Sequence, residues 1–122
     1  MLERVLVFPV LVLLVSCVPP DPVVVSTSPA DGEVVDPSLD VISVTFNRPM
    51  LDNSWSWVYE SKDAFPKTTG DPYYDSSFTN HLPVKLEPHK EYVIWINRDE
   101  FMNFRDESGK PVEPYRFTFS TS

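Results

Sequence analysis

Glycine is scarce in this chain, with three copies in 122 residues, and that scarcity rules out the phosphate-cradling loops that need several. Neither a Gly-x-Ser-x-Gly elbow nor a His-Glu-x-x-His pair occurs. Cysteine is rarer still. Cys17 stands alone, so no intrachain disulfide braces the fold and hydrophobic burial must hold it together. The two histidines, His81 and His89, fall beside expected strand or corner positions with no nucleophile motif near them, and read as surface residues. Enzymatic chemistry is therefore not expected, and no cofactor is implied. Acidic pairs occur at Asp99 with Glu100 and at Asp106 with Glu107. Neither has the spacing of an EF-hand, so they read as solvated loops and no metal site is expected. Basic residues are outnumbered, 10 Lys and Arg against 18 Asp and Glu, for a formal charge of −8. Such a field repels phosphate backbones and anionic headgroups, which makes nucleic acid a poor partner.

A hydrophobic run long enough to cross a bilayer is also missing. The apolar stretch at residues 5–15 is about half of the roughly 20 residues a spanning helix needs, and it contains Pro9, so it reads as a secretory h-region. It ends in Leu14-Val15-Ser16-Cys17, which resembles the signal and lipobox of a bacterial lipoprotein. The resemblance implies that residues 1–16 are a cleaved signal peptide and that Cys17 becomes the lipid-modified first residue of the mature chain. The n-region departs from the pattern, because Glu3 offsets Arg4. Two or three acyl chains, at about 0.8 kcal/mol per buried CH₂, hold a protein stably at a membrane where one does not. The expected membrane partner is thus met through Cys17, and Val18 rather than Asp after it implies the outer membrane in a diderm cell. Residues 17–22 contain Pro19, Pro20 and Pro22, which favour extended polyproline conformation and form a short stiff tether.

About a hundred residues follow, enough for one domain at residues 23–122 and for one core. Helical periodicity is almost absent there, while several runs alternate with period two between Pro, Gly, Asn and Asp. In residues 41–47, Ile42, Val44 and Phe46 share one face and Ser43, Thr45 and Asn47 the other. Trp55, Trp57 and Tyr59 line one face of residues 54–60, and Tyr115, Phe117 and Phe119 one face of the last run. Further strands are expected at residues 23–28, 82–86 and 92–96, with a short piece at Val34 and Val35. Six or seven strands at these spacings predict an all-β, Greek-key β-sandwich of immunoglobulin or fibronectin type. Aromatic side chains, 13% of residues, supply the burial such a core needs.

Two local patterns narrow this to a family. Pro29-Ala30-Asp31-Gly32, Val35-Asp36-Pro37 and the run Ile42-Ser43-Val44-Thr45-Phe46-Asn47-Arg48-Pro49-Met50 together resemble the opening of the bacterial Ig-like domains of the S-layer SbsA type. Leu86-Glu87-Pro88-His89-Lys90-Glu91-Tyr92 resembles the tyrosine corner of fibronectin-like sandwiches. Asp106-Glu107-Ser108-Gly109-Lys110-Pro111 followed by Phe117-Thr118-Phe119-Ser120-Thr121 is similar to that family's ending. The resemblance implies a spacer or adhesion-type module in a surface protein. Mechanically, Asp31-Gly32 supplies a turn, Pro37 limits early strand pairing, and Tyr92 is expected to bury its ring and return its hydroxyl to backbone a few residues upstream.

Two segments exceed a minimal sandwich. Residues 61–80 form a long connection carrying Phe65, Tyr73 and Tyr74, which are expected either to cover a sheet edge or, with Trp57, to present an aromatic platform. Residues 97–104 place Phe101, Met102 and Phe104 among charges and read as a short helical turn or an end plug. The expected function is a lipid-anchored, non-catalytic envelope module that contacts another envelope protein. The alternative is a glycan-binding module that uses Trp57, Phe65, Tyr73 and Tyr74.

Overall fold

Period-two alternation and its interruptions divide the chain into nine strands among residues 20–122, the residues that the computed structural model describes. The signal peptide expected at 1–16, Cys17, and the part of the expected tether through residue 19 lie outside the described residues. The strands are β1 (Val24–Ser28), β2 (Glu33–Val35), β3 (Val41–Phe46), β4 (Trp57–Tyr59), β5 (Lys67–Thr68), β6 (Tyr73–Ser76), β7 (Thr79–Lys85), β8 (Glu91–Ile96) and β9 (Tyr115–Thr121). One sheet has the order β1-β3-β7-β5, with β6 also on β7, and the other has the order β2-β9-β8-β4. All pairings are antiparallel except β2 with β9. This is the immunoglobulin arrangement, in which the first strand is split between the two sheets.

The split follows from the residues between β1 and β2. Gly32 takes φ +80°, a conformation open to glycine without steric cost. Its N–H donates to the Thr118 carbonyl at 2.7 Å while the Thr118 N–H donates to Asp31 Oδ1 at 2.9 Å. The chain is thereby handed from the edge of β3 to the edge of β9. It returns through residues 36–40, where the Ser38 N–H donates to Asp36 Oδ1 at 2.8 Å and Pro37 keeps the segment out of either ladder.

Inward-facing residues of four strands make the core: Ile42, Val44 and Phe46 of β3, Leu82 and Val84 of β7, Tyr92, Ile94 and Ile96 of β8, and Phe117 and Phe119 of β9. Phe104, Val112 and Met50 close one end. Each large apolar side chain so buried contributes roughly 1.5–3 kcal/mol. One or two of them match the roughly 2–4 kcal/mol of the disulfide that this domain lacks. At the corner before β8 the Glu87 N–H donates to Tyr92 Oη at 2.8 Å, which gives the buried phenol the backbone partner expected of it.

Pro83 lies inside β7 without breaking it. The Val84 N–H points to β3, bonding the Asp40 carbonyl at 2.9 Å, so the nitrogen of Pro83 faces the opposite edge. There the neighbouring strand changes from β6 to β5, and no ladder donor is required. Gly70 sits at this changeover, where a Cβ would come within 3.4 Å of Pro83 Cγ.

The two ends of the sandwich are distinct. Asp21 and Val23 lie beside Asn47, at the end that carries the connections 47–56 and 97–114, with the Lys110 ammonium paired to Asp21. Ser122 lies at the opposite end, where its N–H bonds Val35 and its carbonyl accepts from His89.

Candidate functional site

An open concavity borders β4, the outer strand of its sheet. Residues 54–60 alternate like a longer strand, yet only three join the ladder, because two serines are drawn to the 97–114 connection. The Asn103 N–H donates to Ser56 Oγ at 3.0 Å, and the Ser54 hydroxyl donates to the Asn103 carbonyl. The Asn97 N–H donates to the Ser56 carbonyl at 3.1 Å. Alternation along an antiparallel pair then turns the backbone N–H and C=O of Trp57 and Tyr59 toward the open edge.

Beyond that edge an open cleft of about 620 Å³ separates β4 from residues 65–72. Its floor is Trp55, Trp57 and Leu82, and one wall is Phe65. Tyr59 and Phe101, with relative exposures of 47% and 52%, line the cleft as well, together with Asp71 and with Asp99, whose Oδ2 lies 3.8 Å from Arg98 Nε. The floor is rigid. Trp57 Nε1 donates to Asn80 Oδ1 on the other sheet at 2.8 Å, and the ring meets Phe104 edge-on at 5.7 Å. Asn80 is fully buried and its Nδ2 has no partner among the described residues, so the indole bond is the one contact that offsets burial of this amide.

A buried asparagine sets the rim. Asn97 takes φ +58° and is fully buried. Its Nδ2 donates to the carbonyls of Phe104 and Val112, both at 3.0 Å, and its Oδ1 accepts from the Phe104 N–H at 2.9 Å. Arg98 and Phe101 then exchange backbone hydrogen bonds of 2.9 Å in each direction around Asp99, whose φ is +51°. The segment is a tight reversal, and the helical turn expected of residues 97–104 does not form, because two left-handed residues in three cannot continue a right-handed helix. Phe104 plugs the core while Phe101 is held in solvent.

Glu60, Arg116 and Arg98 nearby are already engaged. Arg116 holds Glu60 through two bonds of 2.9 and 3.1 Å, and Trp95 Nε1 donates to the same carboxylate at 3.3 Å. Arg116 first and Trp95 second hold the Glu60 carboxyl below its usual range. The Arg98 guanidinium lies 5.3 Å from the Trp95 ring centroid and donates to the Tyr59 carbonyl at 3.1 Å. Asp106, at the end of the sandwich where Asp21 meets Asn47 and Lys110, accepts from the N–H groups of Ser108 and Lys110 at 3.0 Å each and from the Ser108 hydroxyl at 2.6 Å, with Arg48 Nε at 3.3 Å. Burial pushes this carboxyl up, and the bonds from Ser108, Lys110 and Arg48 outweigh that push and leave it below its usual range. It is a turn-organising group. Among the described residues no group of three or more His, Cys, Asp or Glu is placed to hold a metal ion.

The four aromatic residues named from the sequence divide between two places. Trp57 and Phe65 line the cleft. Tyr73 and Tyr74 are neighbours in β6 and point to opposite faces. Tyr73 is on the outer face, 48% exposed, and stacks on His81 at 5.1 Å, with His81 Nε2 2.9 Å from Asp75 Oδ2. Tyr74 turns inward and packs 6.4 Å from Trp55. Burial first, and Asp52 second, keep its phenol protonated well above the usual range. The rim residues Tyr59 and Phe101 complete the cleft. Tyr59 ends the Trp55, Trp57, Tyr59 alternation, and Phe101 is an apolar residue in a run of charges; both signals are visible in the sequence.

Residues 19–121 match the family described as the bacterial Ig-like domain, which covers most of the chain. The chain belongs to the bacterial Ig-like domain family. No curated protein matches it. Solved structures similar to this Ig-like domain include the S-layer protein rSbsC(31-844), at 18% identity and a TM-score of 0.45, covering 82% of this chain and 13% of that one. A second is domains 1-6 of the surface layer protein SbsC, at 20% identity and a TM-score of 0.43, covering 81% and 13%. The Ig-like domain thus spans about an eighth of the S-layer chains it matches.

Proposed function

We propose that this chain is a lipid-anchored Ig-like module of the cell envelope with a non-catalytic, structural or protein-interaction role. The observation that carries the reading is the polarity of the sandwich. The chain enters beside Asn47 at one end, and Ser122 lies at the other. A lipid on Cys17, joined by the tether at residues 17–22, would hold the first end at the bilayer and project the opposite end from it. The sequence around Cys17 supports attachment, and Val18 fits the outer membrane of a diderm cell. The acidic surface favours a protein or an uncharged polymer over nucleic acid as partner.

Fractionation of cells expressing the full chain tests the anchor. Wild type should sediment with membranes and move to the detergent phase, and Cys17→Ser should be released as a soluble protein with an unchanged melting temperature. Membrane sedimentation of the folded Cys17→Ser variant would contradict the proposal.

A further inference from the structure

We infer that the cleft beside β4 binds an uncharged saccharide chain, with Tyr59 and Phe101 as stacking faces and Asp71 and Asp99 as acceptors for its hydroxyls. This role is additional to the spacer role and does not depend on the lipid anchor. Its volume, about 620 Å³, lies within the roughly 300–1,000 Å³ of small-ligand sites, and its open form suits a chain that passes through.

The exposure of the two rim rings is built in. Phe101 sits in a reversal fixed by the reciprocal Arg98 bonds and by the buried side chain of Asn97. Fraying of that loop therefore does not account for a phenyl ring that is 52% exposed. Tyr59 is fixed by the β4 ladder, opposite Ile94. Two such rings at the rim of an aromatic-floored cleft leave apolar faces in water, where a ligand with one apolar face recovers the hydrophobic term.

The polar part of the lining selects among ligands. An acyl chain would cover the rings but would strip water from Asp71 and Asp99 without offering hydrogen bonds in return. An anionic polymer would meet these carboxylates with only Arg98 as a nearby cation, and that guanidinium is already bonded to the Tyr59 carbonyl and set over Trp95. A peptide strand added to β4 would find only the outward groups of Trp57 and Tyr59, one of which Arg98 occupies. That ladder is shorter than strand addition uses. A sugar ring meets each element, because its C–H face stacks on an aromatic ring while its edge hydroxyls donate to carboxylates and accept from the outward-facing backbone N–H of Trp57.

The test uses the full chain, solubilised in a detergent without a sugar headgroup. Cellohexaose, chitohexaose, xylohexaose and mannohexaose are titrated by calorimetry and by the emission of the cleft tryptophans, with polygalacturonate as the anionic probe. At least one neutral hexasaccharide should bind, and Tyr59→Ala and Phe101→Ser should each weaken it by about tenfold or more. Asp71→Asn should weaken it less. Tyr73→Ala, on the outer face, should leave the affinity within about twofold. Because Phe101 and Asp71 are exposed, their variants should keep the wild-type melting temperature. Failure of all the neutral hexasaccharides, preference for polygalacturonate, or full affinity in both rim variants would overturn the inference.

Discussion

Replacing Asn97 with Ala removes three hydrogen bonds from a site that water does not reach. The Phe104 N–H loses its acceptor, the Val112 carbonyl loses a donor, and the Phe104 carbonyl keeps only its bond from the Val112 N–H. At about 1 kcal/mol net for each bond, with an orphaned buried N–H counted toward the upper end, the loss is about 3–5 kcal/mol. Ala also tolerates φ +58° less well than Asn, by roughly 1 kcal/mol. Against a total stability of about 5–15 kcal/mol for a domain of this kind, the variant should be folded but marginal, with a urea midpoint well below that of wild type. Asn97→Asp sharpens the test. It keeps the acceptor for the Phe104 N–H and the tolerance for positive φ, but it turns a carboxylate oxygen toward two carbonyls. Ionisation is then disfavoured in the folded state and the pKa of the introduced carboxyl rises. Stability lost at neutral pH should be partly regained as the pH falls toward that pKa, because the protonated acid donates to one carbonyl. Chevron or equilibrium urea unfolding of the three proteins at pH 5 and pH 7.5 provides the comparison. A loss below about 1 kcal/mol for Asn97→Ala, or no pH-dependent recovery in Asn97→Asp, would refute the assignment of Asn97 as the tie of this connection.

Other expectations rest on separate parts of the fold. Tyr92→Phe should cost about 1–3 kcal/mol, because it orphans the Glu87 N–H while keeping the ring, whereas Tyr92→Ala should cost about 3–5 kcal/mol by emptying the core position; denaturant melts separate the two. Asp106 has its pKa lowered in the folded state, so its stabilisation is present above the unfolded carboxylate pKa and is lost as the pH falls through the lower, folded value. The acid limb of a thermal-stability profile below about pH 4 should therefore flatten in Asp106→Asn relative to wild type, and an unchanged limb would show that the Ser108, Lys110 and Arg48 bonds do not discriminate the ionised form.

The parts of the fold that are legible in the sequence are those where one face is buried without interruption. Residues 41–46 and 115–121 alternate cleanly because each packs one side on the core, and the corner before Tyr92 is readable because a buried phenol needs a backbone partner. The connection at 61–80 is opaque for the opposite reason. Its residues form β5 and β6 at the sheet edge, where most are exposed and Gly70-Asp71-Pro72 interrupts any period. Thr79, Asn80 and His81 extend β7 upstream of the expected start at residue 82; a buried Asn does not read as core until Trp57 is seen to reach it across the sandwich. The shortening of β4 is likewise tertiary, since Ser54 and Ser56 leave the ladder for partners about fifty residues on. Within the candidate site, Trp57 and Phe65 are recognisable as aromatic residues near one edge. The grouping with Tyr59 and Phe101 depends on a reversal at residues 98–101 that no alternation announces.

The mass of the mature protein tests the proposed lipid attachment at Cys17 most directly. Purified from membranes and measured intact, the chain should begin at Cys17, lack residues 1–16, and carry the added mass of a thioether-linked diacylglycerol with or without an amide-linked acyl chain. A mature protein that keeps residues 1–16, or one cleaved elsewhere with an unmodified Cys17 thiol, would contradict the account.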